Sequence, residues 1–224
     1  MALKHIAIIL DGNRRFAKKI MANPVKGHEY GAKKVEDLIN LLPKYEIKEL
    51  TLYCLSIENL KNRPKNELEY LLNIFRHEFK NLDMNNIEKN KIKINFIGNL
   101  SILPEDLQEL CRNLEIKTKN YDQFTINFAI AYGGRQEITE AVRKIISKNI
   151  KEVNENTITD NLYLKNEPEL IIRTGGEKRT SNFLPWQSVY SEWIFLDKMW
   201  PEFTEQDLID SIKEFENRKR NFGK

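Results

Sequence analysis

Residues 11–15 read Asp-Gly-Asn-Arg-Arg and directly follow an apolar run at residues 6–10. Five consecutive apolar residues, mostly β-branched or Leu, are typical of a strand buried on both faces of a parallel sheet, with Asp11 at its carboxyl end. Ligands bind at that edge of open α/β sheets. Gly12 lets backbone approach a ligand, and Asn13 is a candidate cap for a following helix. The stretch therefore predicts a ligand site, and a helix start would favour anions there.

The charges of this stretch suggest a metal-assisted phosphate site. Arg14 and Arg15 supply fixed positive charge, and Asp11 is a lone carboxylate among hydrogen-bond donors. Mg²⁺ commonly takes one or two protein carboxylates and completes its octahedron with water and substrate phosphate oxygens. The alternative is that Asp11 caps a helix and the two arginines are solvated. These residues alone leave both interpretations open.

A second loop of similar chemistry occupies residues 173–182, after a short apolar run at residues 169–172. It combines adjacent glycines with cationic and hydroxyl side chains, which suit phosphate oxygens. Its polar side chains include Arg173, Thr174, Arg179, Thr180 and Ser181. Two anion sites with a carboxylate at one of them suggest a reaction between two phosphorylated substrates, or on one large polyanion. Glycine with arginine is common in loops, so each loop alone is equally compatible with a structural role.

The elements that carry these loops alternate between strands and helices. Apolar runs predict strands at residues 6–10, 50–55, 92–97, 124–130, 169–172 and 192–196. Helical spacing of apolar residues predicts helices between them, including a long helix after Pro64 and one at residues 136–147. This alternation indicates a single α/β domain over residues 1–224, with a predominantly parallel six-stranded sheet flanked by helices.

Parallel topology places the carboxyl ends of four strands at one edge, where their loops can form one site. Those loops begin at Asp11, Ser56, Tyr132 and Arg173. The long helix carries an apolar stripe of Leu68, Leu71, Leu72, Phe75 and Phe79, which predicts either core packing or the wall of an apolar cavity. In the helix at residues 136–147, the residues predicted to face inward are Ile138, Val142, Ile145 and Ile146.

The composition narrows the functional class. The 224-residue, 26.5 kDa chain is 41% hydrophobic, enough for a substantial core. Its 36 Lys and Arg against 33 Asp and Glu give a net charge of +3, too balanced for a protein that coats nucleic acid. We therefore expect no nucleic-acid partner. Nucleotide chemistry is poorly supported, because the sequence has no P-loop and no G-x-G-x-x-G after a strand.

Cys54 and Cys111 lie in apolar-periodic surroundings without metal or redox spacing, and are expected to be buried reduced thiols. The chain enters its first strand within a few residues and has no apolar run of membrane-spanning length. These features predict a cytoplasmic protein.

Among the three histidines, His28 is the candidate for function. His5, His28 and His77 show no metal-ligand spacing. His28 follows Gly27 at a predicted helix start on the chain leaving the Asp11 site, where its imidazole could donate to a diphosphate. A purely structural role fits His28 equally well.

Taken together, the loops resemble those of the cis-prenyltransferase family, and in particular its bacterial undecaprenyl diphosphate synthases. The segments that carry the resemblance are HIAIILDGNRRFA from His5, GHEYG from Gly27, LSIEN from Leu55, AYGGR from Ala131 and IIRTGGEKRTSNFLPWQ from Ile171. They occur in the family's order, and the match runs from His5 to Gly223, nearly the whole chain.

The resemblance implies an enzyme that extends farnesyl diphosphate with isopentenyl diphosphate units. The cis double bonds so formed would lead to undecaprenyl diphosphate, the lipid carrier precursor of cell-wall synthesis. It also implies Mg²⁺ dependence and a homodimer, for which Trp186, Tyr190 and Trp193 supply apolar surface. The growing chain needs an apolar tunnel, and the stripe of the long helix is its candidate wall. Release of such a product implies transient contact with a membrane surface.

The resemblance also assigns roles at the allylic site. Asp11 resembles the metal-binding catalytic aspartate, and His28 the histidine that contacts diphosphate. The cradle of the allylic diphosphate is matched by Gly12, Asn13, Arg14, Arg15 and Phe16.

The remaining roles fall on three later segments. Residues that match the loop between the substrates are Ser56, Ile57, Glu58 and Asn59, with Arg63 downstream, and Asn59 is the proposed participant in proton removal. Residues that match the isopentenyl diphosphate site are Arg173, Arg179, Thr180 and Ser181. Glu192 resembles the second acidic residue assigned to the metal.

Three positions depart from the family pattern. Pro24 stands four residues before His28, where the family often has a basic residue, and Lys26 is the nearest substitute. Leu60 replaces the usual tryptophan after Glu-Asn, with one additional residue before Arg63. Phe16 likewise replaces the commoner tryptophan. None of these changes removes a charge that the chemistry requires.

Two other functions compete with this one. A catalytically silent partner subunit of a heteromeric prenyltransferase should lack the charges at Asp11 and in the Arg173 loop, and both are present. A phosphate-binding or nucleic-acid-binding α/β protein should have a basic face and bind without turnover, and the balanced charge counts against it.

Overall fold

The computed structural model describes residues 3–218, apart from the side chain of Pro43, so the end of the resemblance at Gly223 lies outside the described residues. Within them, six parallel strands form one sheet in the order β3-β4-β2-β1-β5-β6. The strands are β1 (His5–Ile9), β2 (Glu49–Ser56), β3 (Ile92–Ile97), β4 (Phe124–Tyr132), β5 (Leu170–Arg173) and β6 (Glu192–Phe195). The predicted class, a single α/β domain with a six-stranded parallel sheet flanked by helices, is confirmed.

The helices are α1 (Asn13–Lys19), α2 (Gly27–Leu41), α3 (Ile57–Asn62), α4 (Lys65–Lys80), α5 (Met84–Lys89), α6 (Glu105–Thr118), α7 (Gly134–Ser147), α8 (Glu155–Asn161) and α9 (Glu205–Asn217). Short 3-10 helices occur at Pro24–Lys26, Leu42–Tyr45, Leu100–Ile102 and Trp200–Glu202. The sequence analysis missed the short helices α5 and α8, which lack a long apolar stripe.

The two faces of the sheet have separate cores. Alternate strand residues such as Ile8, Leu52 and Phe128 pack on one face against the apolar stripes of α2, α4, α6 and α9. The residues between them, such as Ala7 and Tyr53, form a smaller core on the other face. That smaller core is completed by side chains from the segments after α8 and β5, namely Leu164, Phe183 and Leu184. Both faces of the sheet are therefore covered. The loops of the predicted site follow the carboxyl ends of the strands, at the edge of the sheet.

In helix α7, Ile145 is buried as predicted, but the rest of the inward face is rotated from the predicted one. Ala141 and Ile145 are buried, whereas Val142 is 41% and Ile146 71% exposed. The inward stripe begins with Glu137, a buried carboxylate that an apolar pattern cannot reveal. Its donors are the Tyr132 hydroxyl at 2.5 Å, the backbone amides of Tyr163 and Leu164, and the Gln187 side chain. These bonds offset the desolvation of the carboxylate and fix the rotation of the helix.

Candidate active site

A polar cleft of about 720 Å³ lies at the carboxyl edge of the sheet, where the sequence predicted a site. Most of the predicted site residues line it. They are Asp11, Gly12, Asn13, Arg14, Arg15, His28, Ser56, Glu58, Asn59, Arg63, Arg173, Arg179 and Ser181. The lining also includes Ile9, Leu10, Lys18, Tyr53, Cys54 and Asn182, which the sequence analysis had not selected.

The turn from β1 into α1 depends on Gly12. Its φ is +105°, and a Cβ added there would lie 2.8 Å from the Met199 Cβ, so a side chain is excluded both by conformation and by space. Asn13 is not the helix cap that was predicted. It is the first helical residue, and its Nδ2 donates to the Leu10 carbonyl at 3.1 Å. This bond closes the turn that presents Asp11.

Asp11 and Arg173 form the central ion pair of the cleft. Arg173 Nη2 donates to Asp11 Oδ2 at 2.8 Å, and Arg15 Nη2 donates to Asp11 Oδ1 at 3.3 Å. The Arg173 side chain is 4% exposed and that of Asp11 is 30% exposed, so a ligand can reach the carboxylate while the guanidinium stays fixed. The alternative in which Asp11 caps α1 is wrong, because no side chain caps that helix.

The loop after β5 folds around the Arg173 guanidinium. Arg173 Nη1 donates to Ser181 Oγ at 2.8 Å and to the Arg179 carbonyl. Thr174 Oγ1 donates to the Asp11 carbonyl at 2.8 Å, which joins the two phosphate-like loops directly. Arg173 Nε is buried and has no hydrogen-bond partner within the described part of the chain. A buried donor of this kind is costly unless a ligand or water supplies an acceptor.

Glu67 organises the opposite side of the cleft, and the sequence analysis missed it. Its carboxylate is 8% exposed, and Oε1 lies 3.3 Å from Arg63 Nη1, 3.6 Å from Arg14 Nε and 3.8 Å from His28 Nε2. All three neighbours were predicted to contact substrate. The available signal was its position four residues after Arg63 at the start of a helix, a spacing at which opposite charges are neighbours.

His28 is uncharged at neutral pH. Burial and, next, the Arg63 guanidinium lower the pKa of His28 to about 4. Arg63 Nη1 lies 3.2 Å from His28 Nε2, and because a guanidinium can only donate, Nε2 must accept. The ring proton is therefore on Nδ1, and His28 can offer a ligand a neutral N–H donor.

The Ser56 segment begins a helix and is not the loop that was predicted. Ser56 Oγ accepts the Asn59 N–H at 3.0 Å and so caps α3. Glu58 Oε1 accepts a hydrogen bond from Asn182 Nδ2 at 2.8 Å, which ties α3 to the loop after β5. The side chains of Glu58 and Asn59 are exposed on the cleft.

Positive charge predominates in the cleft. Its cationic side chains are Arg14, Arg15, Lys18, Arg63, Arg173 and Arg179, and its carboxylates are Asp11 and Glu58. This surplus fits ligands that carry several negative charges, such as a pair of diphosphates.

An apolar cavity of about 450 Å³ adjoins the cleft between α2 and α4. Leu10, Asn13, His28 and Cys54 line both spaces and form the neck between them. The α2 wall includes Gly31, Ala32, Val35 and Ile39, and the α4 wall includes Leu71, Ile74, Phe75 and Phe79. Leu72 is buried in the core and does not line the cavity. Only part of the predicted apolar stripe of α4 therefore forms the cavity wall.

The two cysteines have different environments. Cys111 is buried in the core, as predicted, whereas Cys54 is half-buried at the neck. Both are free thiols, and burial raises the pKa of Cys54 to about 12. A reactive thiolate at the neck is therefore excluded near neutral pH.

Several predicted residues lie outside the lining of the cleft, and their contacts with substrate stay predictions. Phe16 packs edge to face on Tyr30, with ring centroids 5.4 Å apart. Ile57 packs beside Gly133, and the Thr180 carbonyl accepts the Phe183 N–H in a turn. Tyr132, which began the third predicted loop, ends β4 and is fully buried.

Glu192 cannot share a metal ion with Asp11 of the same chain. Glu192 pairs with Leu170 at the amino end of β5, whereas Asp11 follows the carboxyl end of β1. The three strand residues from Glu192 to Phe195 alone span about 10 Å. Glu192 Oε2 instead accepts a hydrogen bond from Arg218 at 2.8 Å. Within one chain, the predicted metal pair of Asp11 and Glu192 is therefore wrong.

Asp11 has the features of a Mg²⁺ ligand. Among residues 3–218, no group of three or more His, Cys, Asp or Glu side chains is placed to hold a metal ion. Mg²⁺ needs only one or two carboxylates when substrate phosphates provide other oxygens. An accessible carboxylate in a cationic cleft fits that pattern.

The family model described as "Putative undecaprenyl diphosphate synthase" matches residues 9–223. The chain belongs to the cis-prenyltransferase family. It is therefore a transferase that condenses isopentenyl diphosphate onto an allylic diphosphate, and the competing assignment as a binding protein falls away. Members of the family are generally Mg²⁺-dependent.

Relatives of this cis-prenyltransferase include two tritrans,polycis-undecaprenyl-diphosphate synthases (geranylgeranyl-diphosphate specific). The chain is 43% identical to that of Methanopyrus kandleri, covering 99% of this chain and 84% of the relative. It is 40% identical to that of Thermococcus kodakarensis, covering 99% and 87%.

Two solved structures are also similar. Lavandulyl diphosphate synthase from Lavandula x intermedia, in complex with dimethylallyl diphosphate, has a TM-score of 0.95 and 34% identity, covering 100% of this chain and 99% of that one. A probable undecaprenyl diphosphate synthase from Campylobacter jejuni has a TM-score of 0.85 and 36% identity, covering 99% of each chain.

The described helices include none with the length and apolar character needed to cross a bilayer.

Proposed function

We propose that this cis-prenyltransferase extends geranylgeranyl diphosphate, rather than the farnesyl diphosphate first expected, to a long-chain polyprenyl diphosphate. The observation that carries the proposal is the neck. There, a cationic cleft suited to two diphosphates meets an apolar cavity suited to an isoprenoid chain. The choice of allylic substrate rests on the relatives that are 38% to 43% identical over 99% of the chain, whose names specify geranylgeranyl diphosphate.

In this proposal the allylic diphosphate lies against the β1–α1 turn, with its hydrocarbon passing through the neck. Cleavage of the allylic C–O bond leaves both electrons on the departing diphosphate. Arg14, Arg15, Arg63 and His28 line the cleft on this side, and their N–H donors would stabilise that developing charge and so lower the barrier. Mg²⁺, held by Asp11 and substrate oxygens, would add positive charge there when bound.

Isopentenyl diphosphate would occupy the other half of the cleft, on Arg173, Arg179 and Ser181. Holding its diphosphate fixes its double bond beside the allylic carbon, so that the new C–C bond forms within one complex. Glu58 and Asn59 on α3 face the space between the two sites. A carboxylate or a substrate diphosphate can accept the proton lost from isopentenyl diphosphate, and Asn59 can orient the acceptor but is too weak a base itself.

We retain the homodimer as a proposal. Of the residues expected to form its surface, Tyr190 is 63% exposed, Trp186 Nε1 donates to Thr159 Oγ1 at 3.0 Å, and Trp193 stacks on Phe195. The outward face of α7, with Val142 and Ile146, adds apolar area that the sequence analysis had placed inside. The cell-wall role and the cytoplasmic location stay predictions.

The test of substrate choice is a comparison of allylic primers at fixed labelled isopentenyl diphosphate and Mg²⁺. We expect kcat/KM for geranylgeranyl diphosphate to exceed that for farnesyl diphosphate by about tenfold or more, a difference of about 1.4 kcal/mol in transition-state binding. Equal use of both primers, or a preference for farnesyl diphosphate, would overturn the proposed specificity.

A further inference from the structure

Asn182 joins three elements at the edge of the cleft. Its Nδ2 donates to Glu58 Oε1 on α3 at 2.8 Å, and its Oδ1 accepts the backbone N–H of Arg135 on α7 at 3.0 Å. Its carbonyl accepts the Gly134 N–H at 2.8 Å. Both polar groups of the side chain are therefore used within the fold, and the amide cannot turn without losing its bonds to two helices.

The backbone places Asn182 beside one half of the cleft. Its φ is +62° and that of Ser181 is +51°, left-handed conformations that asparagine tolerates better than most residues. Conformations of this kind cluster at functional sites, where the surrounding structure enforces them. Ser181 Oγ accepts a hydrogen bond from Arg173 Nη1 at 2.8 Å, in the half proposed for isopentenyl diphosphate. The bond from Asn182 thus holds the Glu58 carboxylate at the edge of that half.

Gly133, from the AYGGR segment, leaves room for this bond. A Cβ added there would lie 2.7 Å from Ile57 Cγ2 and 3.1 Å from Asn182 Nδ2. Glu58 Oε1 would be 3.7 Å away. A side chain at this position would therefore push α3 away from the loop after β5. Residues 131–135 do not line the cleft themselves, so the segment serves the contact between α3 and that loop.

Glu58 is the side chain of the cleft lining best suited to accept a proton. Asp11 is already paired with two arginines, and His28 Nε2 already accepts from a third. Burial raises the pKa of Tyr53 above its ordinary value and that of Cys54 to about 12, so both groups are neutral near pH 7. Glu58 makes no ion pair within residues 3–218 and accepts one hydrogen bond, from a neutral amide.

We propose that Asn182 positions the Glu58 carboxylate to take the proton from isopentenyl diphosphate in each condensation. When the terminal alkene carbon of isopentenyl diphosphate bonds to the allylic carbon, a tertiary carbocation remains. Glu58 removes a proton from the neighbouring carbon on the diphosphate side, and the electrons of that C–H bond form the new double bond. The proton then passes from Glu58 to water. The proposal rests on the proposed function in one respect, which is that isopentenyl diphosphate lies in the Arg173 half of the cleft.

Single-turnover kinetics of Glu58→Gln test the proton acceptor. The rate should fall by about a hundredfold or more, because an amide cannot take the proton. The amide oxygen can still accept from Asn182, so the variant should stay folded. With isopentenyl diphosphate deuterated at the carbon that loses the proton, the variant should show a larger isotope effect than the wild type, because proton removal has become slow.

Glu155→Gln, at an exposed carboxylate in the first turn of α8, is the matched control and should behave like the wild type. A nearly wild-type rate for Glu58→Gln would assign the proton to a substrate diphosphate and overturn the proposal. A lower rate with the wild-type isotope effect would overturn it as well.

Asn182→Gly tests the positioning role, because glycine keeps the left-handed backbone and removes only the amide. The rate should fall by about tenfold and the isotope effect should rise. Combined with Glu58→Gln, the substitution should cause no further loss, since both changes act on the same step. Asn149→Gly, at another exposed left-handed asparagine, is the control. An additive loss in the double variant would mean that Asn182 does not act through Glu58.

The same rates measured with geranylgeranyl and with farnesyl diphosphate separate this proposal from the proposed function. The ratio of the Glu58→Gln rate to the wild-type rate should be equal for both primers, because Glu58 acts on isopentenyl diphosphate. A wild-type preference for farnesyl diphosphate would contradict the proposed function alone and leave this ratio unchanged.

Discussion

The polar cleft and the apolar cavity share a neck but are built in different ways. In the cleft, short turns fix each charge through hydrogen bonds, as in the pair of Asp11 with Arg173 at 2.8 Å. In the cavity, one helix supplies both wall and core, since Leu71 lines the space while its neighbour Leu72 does not. Charge placement here is fixed by hydrogen bonds between loops at the strand ends, whereas cavity shape depends on helix rotation. Substitutions in the cleft should therefore change the reaction rate, and substitutions in the cavity wall should change the product length.

The largest effect should follow Asp11→Asn, which acts in the cleft alone. We expect kcat to fall by about 10² to 10³, because negative charge for the metal is lost at the departing diphosphate. The amide oxygen can still accept from Arg173, and the half-exposed Arg15 can turn to solvent from the amide nitrogen, so the variant should stay folded. The residual products should have the wild-type length distribution. Near-native turnover of this variant at saturating Mg²⁺ would refute the role of Asp11.

Arg179→Ala should test whether the cleft has separate sites for the allylic diphosphate and isopentenyl diphosphate. Its side chain is 60% exposed, unlike that of the buried Arg173, so it can be removed without unfolding the loop. Loss of a charge-assisted contact worth about 1.5 to 3 kcal/mol should raise KM for isopentenyl diphosphate by about tenfold to a hundredfold. Lys178→Ala, an exposed neighbour outside the cleft lining, is the control. An equal rise in KM for the allylic substrate would remove the distinction between the two sites.

Glu67→Gln should have a smaller effect, because Glu67 positions other side chains and does not line the cleft. Loss of its charge frees Arg14 and Arg63 from their shared anion, so kcat should fall by about tenfold while KM for the allylic diphosphate stays equal or falls. Glu69→Gln on the exposed side of α4 should be silent. A raised KM at unchanged kcat would mean that Glu67 contributes to binding and not to positioning.

Protonation of His28 should affect stability and not activity at neutral pH. Its folded-state pKa of about 4 lies below the value of 6.5 expected when unfolded, so the unfolded chain binds the proton first as pH falls. The free energy of unfolding should therefore decrease between pH 6.5 and 4, by up to about 3 kcal/mol from this group. His28→Asn should flatten that slope, and His77→Asn, at an exposed position, should not. Identical slopes for wild type and His28→Asn would contradict the neutral histidine.

The strands and the loops at Asp11 and Arg173 could be predicted because their signals are local. An apolar run followed by charged residues indicates both the strand and the edge at which it ends. Glu67 could not be predicted in the same way, because a carboxylate after Pro64 reads as an ordinary helical surface residue. Its burial arises only when α4 packs beside Arg14 and His28.

Helix rotation and strand direction explain the other differences. Val142 and Ile146 were predicted to be buried, but the fully hydrogen-bonded Glu137 sets which side of α7 faces inward. Glu192 was assigned to the metal by resemblance alone, whereas strand direction puts it at the opposite end of the sheet from Asp11. The rotation of α7 and the position of Glu192 in the sheet depend on packing and strand register, which the spacing of apolar residues does not predict.

The neighbouring leucines of α4 give the most direct test of the central claim that the cavity, and not the cleft, sets product length. Leu71 and Leu72 are both 5% exposed, but only Leu71 lines the cavity. With geranylgeranyl diphosphate and labelled isopentenyl diphosphate, Leu71→Trp should yield shorter products while the first condensation proceeds at nearly the wild-type rate. Leu72→Trp should keep the full length and lose about 1 to 3 kcal/mol of stability through overpacking. Full-length product from folded Leu71→Trp, or shortened product from Leu72→Trp, would contradict the account.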